Sequence, residues 1–253
     1  WNYPLNVAFR KVAPALVAGN CAILKPSEIA GLSCMFLGKL AQDVGIPEGV
    51  FNIITGDRET GAALVASPSV SMVSFTGSSL TGTKIMEASA PKLSQVALEL
   101  GGKSAMVIFA DTEIERAVEA TIKGCLTNGG QICTAHTRLI VQEGIKDDLL
   151  KKLKNALEKI PYCGDPITER ERGDRAWETG MTDVIQPVVS ASQHEKIVGF
   201  LNEAKAAGIE IYTGGEVPDP ADLENSGGYF IQPTILNNVP SDSDAWQKEI
   251  FGP

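Results

Sequence analysis

Cys133 follows closely after a run of glycine and polar residues, Asn-Gly-Gly-Gln at 128–131. A free cysteine is usually a buried, inert, small hydrophobic residue. The run at 128–131 predicts instead a flexible polar loop that forms no packed core, and loops of this kind often carry reactive groups. A thiolate in such a loop would be a strong nucleophile toward a carbonyl carbon. The other four cysteines have no comparable setting and are interpreted as structural.

Glu99 and Asn2 are polar residues whose types suit the same chemistry. Glu99 ends the apolar segment 95–100 and precedes Gly101 and Gly102. Strand alternation places it opposite Leu98, and we expect partial burial, which suits a general base that works near neutral pH. A solvated carboxylate at the edge of the sheet is the alternative. Asn2 can donate its side-chain amide to an oxyanion, or it can simply be a turn residue before Tyr-Pro.

Several common catalytic and nucleotide-binding motifs are missing from the sequence. Gly-Lys-Ser at 102–104 lacks the earlier glycine of a phosphate-binding loop, because position 97 is Ala. The sequence has no G-x-G-x-x-G, no H-E-x-x-H and no G-x-S-x-G. These absences argue against a P-loop enzyme, a zinc hydrolase and a serine hydrolase, and we predict no metal.

The composition excludes some classes of partner. The net charge is -9, and no Lys or Arg run is present, so neither a nucleic-acid nor a membrane partner is expected. No apolar run approaches the roughly 20 residues of a membrane helix. Five cysteines, without a C-x-x-C pair or a glycosylation sequon, are typical of an intracellular protein with free thiols.

Strand-like and helix-like patterns alternate along the chain and predict an α/β fold. Strands are predicted at 21–25, 50–54, 71–75, 95–100, 105–109 and 137–142, and helices at 29–44, 61–67, 79–90, 111–126, 146–160 and 192–208. This alternation implies βαβ units with a parallel sheet and ligands at the carboxyl ends of the strands. The segment 161–186 is predicted to be a long loop, and 218–228 a turn-rich surface segment.

Six segments in order resemble the aldehyde dehydrogenase superfamily. They are Trp-Asn-Tyr-Pro-Leu at 1–5, Lys-Pro-Ser-Glu at 25–28, Phe-Thr-Gly-Ser at 75–78, Leu-Glu-Leu-Gly-Gly-Lys-Ser at 98–104, Gly-Gln-Ile-Cys at 130–133 and Glu-Ile-Phe-Gly-Pro at 249–253. The resemblance covers nearly the whole chain and is greatest to the betaine and aminoaldehyde dehydrogenase branch. A complete member of the superfamily is about twice as long, so we interpret the chain as a central piece of a longer polypeptide.

The resemblance implies an incomplete Rossmann-type NAD-binding domain over residues 1–101. An α/β catalytic domain over 102–253, without its C-terminal part, would follow. Residues 168–185 have the character of an insertion and are expected to form an exposed loop. The resemblance implies that the full-length protein is a homodimer or homotetramer, and a cytoplasmic location is expected.

The resemblance also assigns catalytic roles. It implies that Cys133 adds to an aldehyde, that Asn2 and the backbone N–H of Cys133 stabilise the oxyanion, and that Glu99 activates water to release a carboxylic acid. A thiol hydrolase that uses His136 or His194, and a catalytically silent protein that retains the fold, are the rival hypotheses.

NAD is the cofactor that the resemblance implies. Lys25 and Glu28 would contact the adenine ribose, and the Glu28 carboxylate would repel a 2′-phosphate, which favours NAD over NADP. Glu249 and Phe251 would hold the nicotinamide ribose and ring. The remaining positions expected to contact the cofactor are Gly56, Gly61, Thr76, Gly77, Ser78, Leu100 and Gly101.

Three positions bear on the substrate. Tyr3 matches one wall of the aromatic box with which the betaine and aminoaldehyde branch holds cationic aldehydes. Plant members of that branch have tryptophans at the positions of Arg10 and Thr127, and this chain has neither. Arg10 resembles instead the arginine that pairs with the substrate carboxylate in succinate-semialdehyde dehydrogenases. A betaine or aminoaldehyde substrate is predicted, with succinate semialdehyde as the alternative and a solvent-facing Arg10 as the third interpretation.

Overall fold

The computed structural model describes residues 1–163, 184–219, 223 and 227–253. The chain forms two compact units, Trp1–Gly101 (unit 1) and Gly102–Pro253 (unit 2). The predicted functions of these two parts, cofactor binding and catalysis, stay predictions. Most of the predicted insertion at 168–185 lies outside the described residues, and so does part of the segment 218–228.

Unit 1 alternates helices with short parallel strands. Its elements are α1 Pro4–Val17, β1 Ala22–Leu24, α2 Leu32–Asp43, β2 Phe51–Ile53, α3 Arg58–Ala66, β3 Met72–Thr76, α4 Ser79–Ser89 and β4 Gln95–Glu99. Strand β1 pairs in parallel with β2, and β3 with β4. Each parallel pair is joined through a helix, as the alternating pattern predicts.

Polar side chains stabilise both ends of α3. The Asp57 carboxylate accepts hydrogen bonds from the backbone N–H groups of Glu59 and Thr60 and caps the helix N-terminus. At the other end, Lys92 Nζ donates to the carbonyl oxygens of Val65 and Ser67, at 2.6 and 2.7 Å. A cation there satisfies carbonyls that have no partner within the helix and complements the helix dipole.

Unit 2 contains one parallel and one antiparallel strand pair. Its elements are β5 Ala105–Ile108, α5 Ile114–Leu126, β6 Arg138–Val141, α6 Lys146–Leu157, α7 Ala191–Ala206, β7 Glu210–Thr213, β8 Ile235–Asn237 and the short α8 Asp244–Gln247. Strand β5 pairs in parallel with β6, whereas β7 and β8 are antiparallel. A core of Ile108, Ala117, Leu149 and Leu153 lies between β5, α5 and α6.

The predicted parallel pairing is therefore found in the first three strand pairs, whereas α1, the antiparallel pair of β7 and β8, and α8 were not predicted. Strands β7 and β8 are short, and their separation in sequence hides the pairing. Helix α3 begins at Arg58 rather than at 61, because Asp57 caps it. Helix α5 begins at Ile114 rather than at 111, because the N–H of Thr112 closes a turn onto the carbonyl of Phe109.

The predicted long loop 161–186 is anchored where its two ends are described. The N–H of Cys163 donates to Ile185 O at 2.9 Å, and the N–H of Ile185 donates to Pro161 O at 2.8 Å. The Tyr162 ring meets the buried Phe230 ring edge to face, with centroids 5.5 Å apart. Within the described ranges of the chain, no helix combines the length and apolar character needed to cross a bilayer.

Candidate active site

The carboxyl ends of β3 and β4 bring two predicted groups of cofactor residues together in unit 1. Thr76 lies opposite Glu99 in the parallel register, and the N–H of Gly77 donates to the carbonyl of Glu99 at 3.0 Å. Thr76, Gly77 and Ser78 therefore neighbour Glu99, Leu100 and Gly101 along the edge of this strand pair. Ligands of open α/β sheets bind at such edges.

Ser78 caps α4 at this edge. Its hydroxyl accepts from the N–H of Thr81 at 3.3 Å and lies 3.0 Å from the Thr81 hydroxyl. The N-terminus of the helix thus follows the strand directly, in the arrangement that favours phosphate groups.

The carboxyl ends of β1 and β2 border a pocket of about 340 Å³. It is lined by Pro26, Ser27, Glu28, Gly31, Thr55, Gly56 and Asp57. Lys25 Nζ lies 3.7 Å from Glu28 Oε2 and donates to Pro26 O at 3.1 Å. Two of the predicted cofactor residues, Glu28 and Gly56, thus share this pocket with Asp57, which the sequence did not single out.

Gly56 and Gly61, two predicted cofactor residues, have different surroundings. A Cβ on Gly56 would lie 2.0 Å from Thr60 Oγ1, so the close approach of α3 requires glycine there. Gly61 lies within α3, and a Cβ on it would be 3.6 Å from Cδ of Lys25. Gly61 therefore contacts the Lys25 side chain.

Glu99 is exposed at the end of β4, so the expected partial burial is wrong. The strand ends at Glu99, which follows the half-buried Val96, Ala97 and Leu98. The charge of Glu99 affects the pKa of Lys11, which lies on α1. Burial lowers the pKa of Lys11, and the negative charge of Glu99 opposes that shift. Lys11 Nζ also donates to Ser74 Oγ at 3.0 Å, and sequence patterns gave no sign of either interaction.

The remaining predicted site residues of unit 1 lie at or on α1. Asn2 Oδ1 accepts from the N–H of Tyr3 at 3.1 Å, and Tyr3 is the N-cap residue. The Tyr3 side chain is 38% exposed, and Arg10, further along the helix, is also exposed. Neither side chain is sequestered within unit 1, so both remain available to a ligand.

Cys133 of unit 2 is exposed, but the residues that precede it are not. Gly129, Gly130 and Gln131 are buried, and Asn128, Gly129 and Gly130 have left-handed backbone angles (φ of 56°, 64° and 73°). The predicted flexible polar loop is therefore wrong, because backbone and amide hydrogen bonds pack it against other segments. The residues 128–133 are called the nucleophile loop below.

Gly130 packs against the end of the described chain. A Cβ on Gly130 would lie 2.0 Å from the carbonyl oxygen of Gly252 and 2.9 Å from the nitrogen of Pro253. The N–H of Thr234 donates to Pro253 O at 3.2 Å and holds that segment to the strand β8 region. Two motifs that are far apart in sequence therefore touch through their backbones.

Glu249 connects the same C-terminal segment to Gly102. The N–H of Gly102 donates to Glu249 Oε1 at 3.3 Å. Burial raises the pKa of Glu249, and the hydrogen bond from Gly102 together with Lys196 and Lys103 opposes the rise. A Cβ on Gly102 would lie 3.5 Å from Cys133 O, so Gly102 lies between Glu249 and the nucleophile loop.

Phe251 is held by its backbone. It has a left-handed φ of 64°, and Gln193 Nε2 donates to its carbonyl at 2.9 Å and to the carbonyl of Ile250 at 3.3 Å. Gln193 lies in the first turn of α7 and was not predicted to contribute to the site.

These contacts place Cys133 at the amino ends of β5 and β6, since Gly102 precedes β5 and Cys133 precedes β6. The nucleophile loop thus lies at the opposite end of this strand pair from the carboxyl ends, where ligands were expected to bind, and its part in ligand binding stays a prediction. Thr127 directly precedes this loop, and its hydroxyl donates to Lys123 O at 2.6 Å. Asn2, Tyr3, Arg10 and Glu99 belong to unit 1, and their assembly with Cys133 and Thr127 stays a prediction.

The two histidines have positions in the packing of unit 2. His194 Nε2 forms a hydrogen bond with Phe230 O at 3.1 Å. The His136 ring packs on Gly124 of α5, where a Cβ would lie 2.6 Å from Nδ1. Within the described part of the chain, buried Nδ1 has no hydrogen-bond partner. These contacts give the thiol-hydrolase hypothesis no histidine paired with Cys133.

Lys103 makes stability depend on pH. Burial and, to a smaller extent, the positive charge of Arg138 together lower its pKa from the ordinary value of 10.5 to about 8. Below pH 8 the folded protein carries a charge that it disfavours. Between about pH 8 and 10.5 the unfolded chain binds more protons than the folded protein, so the free energy of unfolding rises with pH in this range.

Lys103→Met is expected to remove that rise, because the group that titrates is gone. Thermal unfolding at pH 7, 8, 9 and 10 measures it as the difference in Tm between wild type and variant. The exposed Lys151, replaced in the same way, serves as the control. Parallel pH profiles for wild type and Lys103→Met would contradict the assignment.

The whole chain, residues 1–253, matches the aldehyde dehydrogenase family. The chain belongs to this family, and the resemblance and the α/β fold predicted from the sequence are confirmed. Relatives to which it is similar include aminoaldehyde dehydrogenase 2, peroxisomal, of Pisum sativum, at 45% identity, and betaine aldehyde dehydrogenase, chloroplastic, of Beta vulgaris, at 42%. Each alignment covers 100% of this chain and 47% of the relative.

A solved structure extends the similarity to three dimensions. Betaine aldehyde dehydrogenase from Staphylococcus aureus, a point mutant in complex with NAD⁺ and with a BME-modified cysteine, superposes with a TM-score of 0.90 at 36% identity. The match covers 100% of this chain and 49% of that one. The chain thus spans about half the length of the relatives that it matches.

Proposed function

We propose that the full-length protein oxidises an aldehyde to a carboxylic acid with NAD⁺ and water, and releases NADH and a proton. The observation that carries the proposal is the exposed Cys133 thiol on a loop whose residues 129–131 are buried and hydrogen-bonded. An exposed thiol on a rigid support is a preorganised nucleophile, because the backbone around it need not be ordered again during the reaction.

Each proposed role follows from the chemistry of one side chain. The Cys133 thiolate adds to the aldehyde carbon and gives a thiohemiacetal. The amide of Asn2 and the backbone N–H of Cys133 donate to the oxyanion without a change of charge. After hydride loss leaves a thioester, Glu99 removes a proton from water, which attacks the thioester carbon and frees the Cys133 thiolate. The exposure of Glu99 is compatible with this step, since the base must reach water.

The residues of unit 1 fit NAD. Glu28 and Gly56 line a pocket of about 340 Å³, large enough for part of a nucleotide, and a Glu28 carboxylate would accept hydrogen bonds from ribose hydroxyls. The capped N-terminus of α4, after Thr76 and Gly77, would hold the pyrophosphate. When bound, NAD⁺ supplies the acceptor for the hydride. In unit 2, Glu249 and Phe251 are proposed to hold its nicotinamide half.

The proposed substrate is a betaine-type or aminoaldehyde. The relatives support it, because aminoaldehyde and betaine aldehyde dehydrogenases cover this chain completely. Tyr3 would contribute an aromatic face to a cationic group. A carboxylate-bearing aldehyde such as succinate semialdehyde is the second candidate, favoured by the exposed Arg10 on the same helix. Position 127 is Thr, so both the second tryptophan of one branch and the second arginine of the other are missing, and neither pocket is complete from these residues alone.

The decisive experiment measures NADH formation by the full-length protein with betaine aldehyde, an aminoaldehyde and succinate semialdehyde. NAD⁺ is expected to support faster turnover than NADP⁺ at equal concentration, because Glu28 repels a 2′-phosphate. Wild type is expected to prefer the cationic aldehydes. Absence of turnover with every aldehyde would refute the proposed function, and a preference for NADP⁺ would refute the role of Glu28.

Arg10→Trp separates the two substrate candidates. A guanidinium repels a trimethylammonium group and attracts a carboxylate, so the variant should gain kcat/KM for betaine aldehyde and lose it for succinate semialdehyde. Equal values for wild type and variant with both substrates would show that Arg10 faces solvent.

The oligomeric state and the location of the full-length protein are also proposals. We infer a homodimer or homotetramer that acts on a small aldehyde. The plant relatives are named as peroxisomal or chloroplastic, so they do not support the predicted cytoplasmic location over an organelle.

A further inference from the structure

Gln131 is a buried polar side chain two residues before Cys133. It is 4% exposed, and both ends of its amide are engaged. Its Oε1 accepts from the N–H of Val189 at 2.9 Å, and its Nε2 donates to Asn128 O at 2.9 Å. Nε2 also lies 3.5 Å from Pro187 O. One side chain therefore connects the start of the nucleophile loop to the segment 187–189.

The segment 187–189, which Gln131 contacts, is itself held in place by packing and hydrogen bonds. Val188 is buried, and its N–H donates to Tyr229 O at 2.8 Å. Val188 belongs to a core that also includes Ile197 and Leu201 of α7 and Ile231. The amide of Gln131 thus ties the loop to a packed part of unit 2 rather than to another mobile surface segment.

The loop needs such a connection because its backbone alone does not specify its shape. Three consecutive residues, Asn128, Gly129 and Gly130, have left-handed φ angles, and glycines populate many conformations when they are unrestrained. A buried amide that lost its partners would be costly, so its hydrogen bonds favour one loop conformation strongly.

We propose that Gln131 is a positioning residue that sets the location of the Cys133 thiol through its bonds to Asn128 and Val189. The proposal rests on the proposed function, in which Cys133 is the nucleophile. It predicts that loss of the amide displaces the thiol without changing its intrinsic reactivity.

The test compares full-length wild type with Gln131→Met and Gln131→Glu. Methionine keeps the volume and removes both hydrogen-bonding ends, while glutamate keeps the acceptor for Val189 and removes the donor. The rate constant of the NADH burst is expected to fall about tenfold or more in Gln131→Met, since small displacements of a reacting group have effects of that size. Gln131→Glu should fall less, and KM should stay within about threefold in both.

Alkylation by iodoacetamide, followed by mass spectrometry of each cysteine, separates positioning from unfolding. A freely diffusing reagent does not need a fixed orientation, so the alkylation rate of Cys133 should stay within about threefold of wild type. The buried Cys34 should remain protected in a folded variant. Gln142→Met is the matched control, because Gln142 Oε1 also accepts a backbone N–H, that of Ala110 at 2.8 Å, away from the loop.

A burst rate in Gln131→Met within twofold of wild type would overturn the proposal. If both variants expose Cys34, the role is structural and the proposal is also overturned. Hydrogen exchange at the Val189 amide reports the bond itself and should be faster in Gln131→Met. If exchange is faster in Gln131→Met but the wild type oxidises no aldehyde, the hydrogen bond between Gln131 and Val189 exists and the proposed function has failed.

Discussion

Cys133→Ala is expected to abolish aldehyde oxidation by the full-length protein, with a loss on the order of 10⁴-fold or more in kcat. Alanine cannot form the bond to the aldehyde carbon, and no other described side chain of the nucleophile loop has a nucleophilic atom of comparable strength. Measurement of NADH formation checks this outcome. Cys21→Ala, which removes another exposed thiol, should leave turnover unchanged. Undiminished oxidation by Cys133→Ala would remove the basis of the proposed mechanism.

Glu99→Gln should separate the two halves of the same reaction. The first NADH burst needs only Cys133 and the oxyanion donors, so it should persist at nearly the wild-type rate. Hydrolysis of the thioester needs a base, and the steady-state rate should fall by about 10²- to 10⁴-fold. The absorbance of NADH, followed before the steady state at an enzyme concentration comparable to that of the substrate, distinguishes the burst from the steady-state phase. Equal loss of burst and steady state would assign Glu99 to an earlier step.

Gly130→Ala is expected to have the second largest effect, and it should act on folding. The methyl group would be placed 2.0 Å from the carbonyl oxygen of Gly252, and alanine would have to keep a φ of 73°. Backbone cannot move aside as a flexible side chain can. The combined overpacking and left-handed strain should destabilise the protein by roughly 3–5 kcal/mol.

Thermal or urea unfolding of the purified variant, or its loss from the soluble fraction, measures that destabilisation. Gly199→Ala is the matched control, because Gly199 lies inside α7 with nothing within 4 Å of the added methyl group. It should be neutral or stabilise by up to about 1 kcal/mol. A Gly130→Ala protein as stable as wild type would show that the Gly130–Gly252 contact is not as close as described.

The local features of this protein were accessible from its sequence. Hydrophobic periodicity predicted β4 and α4 almost to the residue, and motif order predicted the family. Helix α1 was not predicted, although Pro4 lies in its first turn, where proline is well tolerated. Strand β8 was missed because it has only three residues and pairs with β7, which lies far from it in sequence.

The long-range contacts of the candidate site were not accessible in the same way. A Gly-Gly-Gln run looks polar and flexible in isolation, yet Gln131 is buried because Asn128 and Val189 satisfy its amide. The hydrogen bond that Glu249 accepts comes from Gly102, and the charged neighbours that affect the pKa of Lys103 lie far along the chain. Sequence patterns indicate the local conformation that a segment favours, whereas burial, hydrogen bonding and pKa depend on contacts with other segments.

The contact between Gly130 and Gly252 also sets an order for synthesis. The nucleophile loop leaves the ribosome long before the residues that close over it, and nearly the whole of unit 2 must be made in between. Contacts between such distant positions form late, because the intervening chain has to be ordered first. On a nascent chain the nucleophile loop therefore lacks this contact until residues 249–253 have been made and have packed against Gly130.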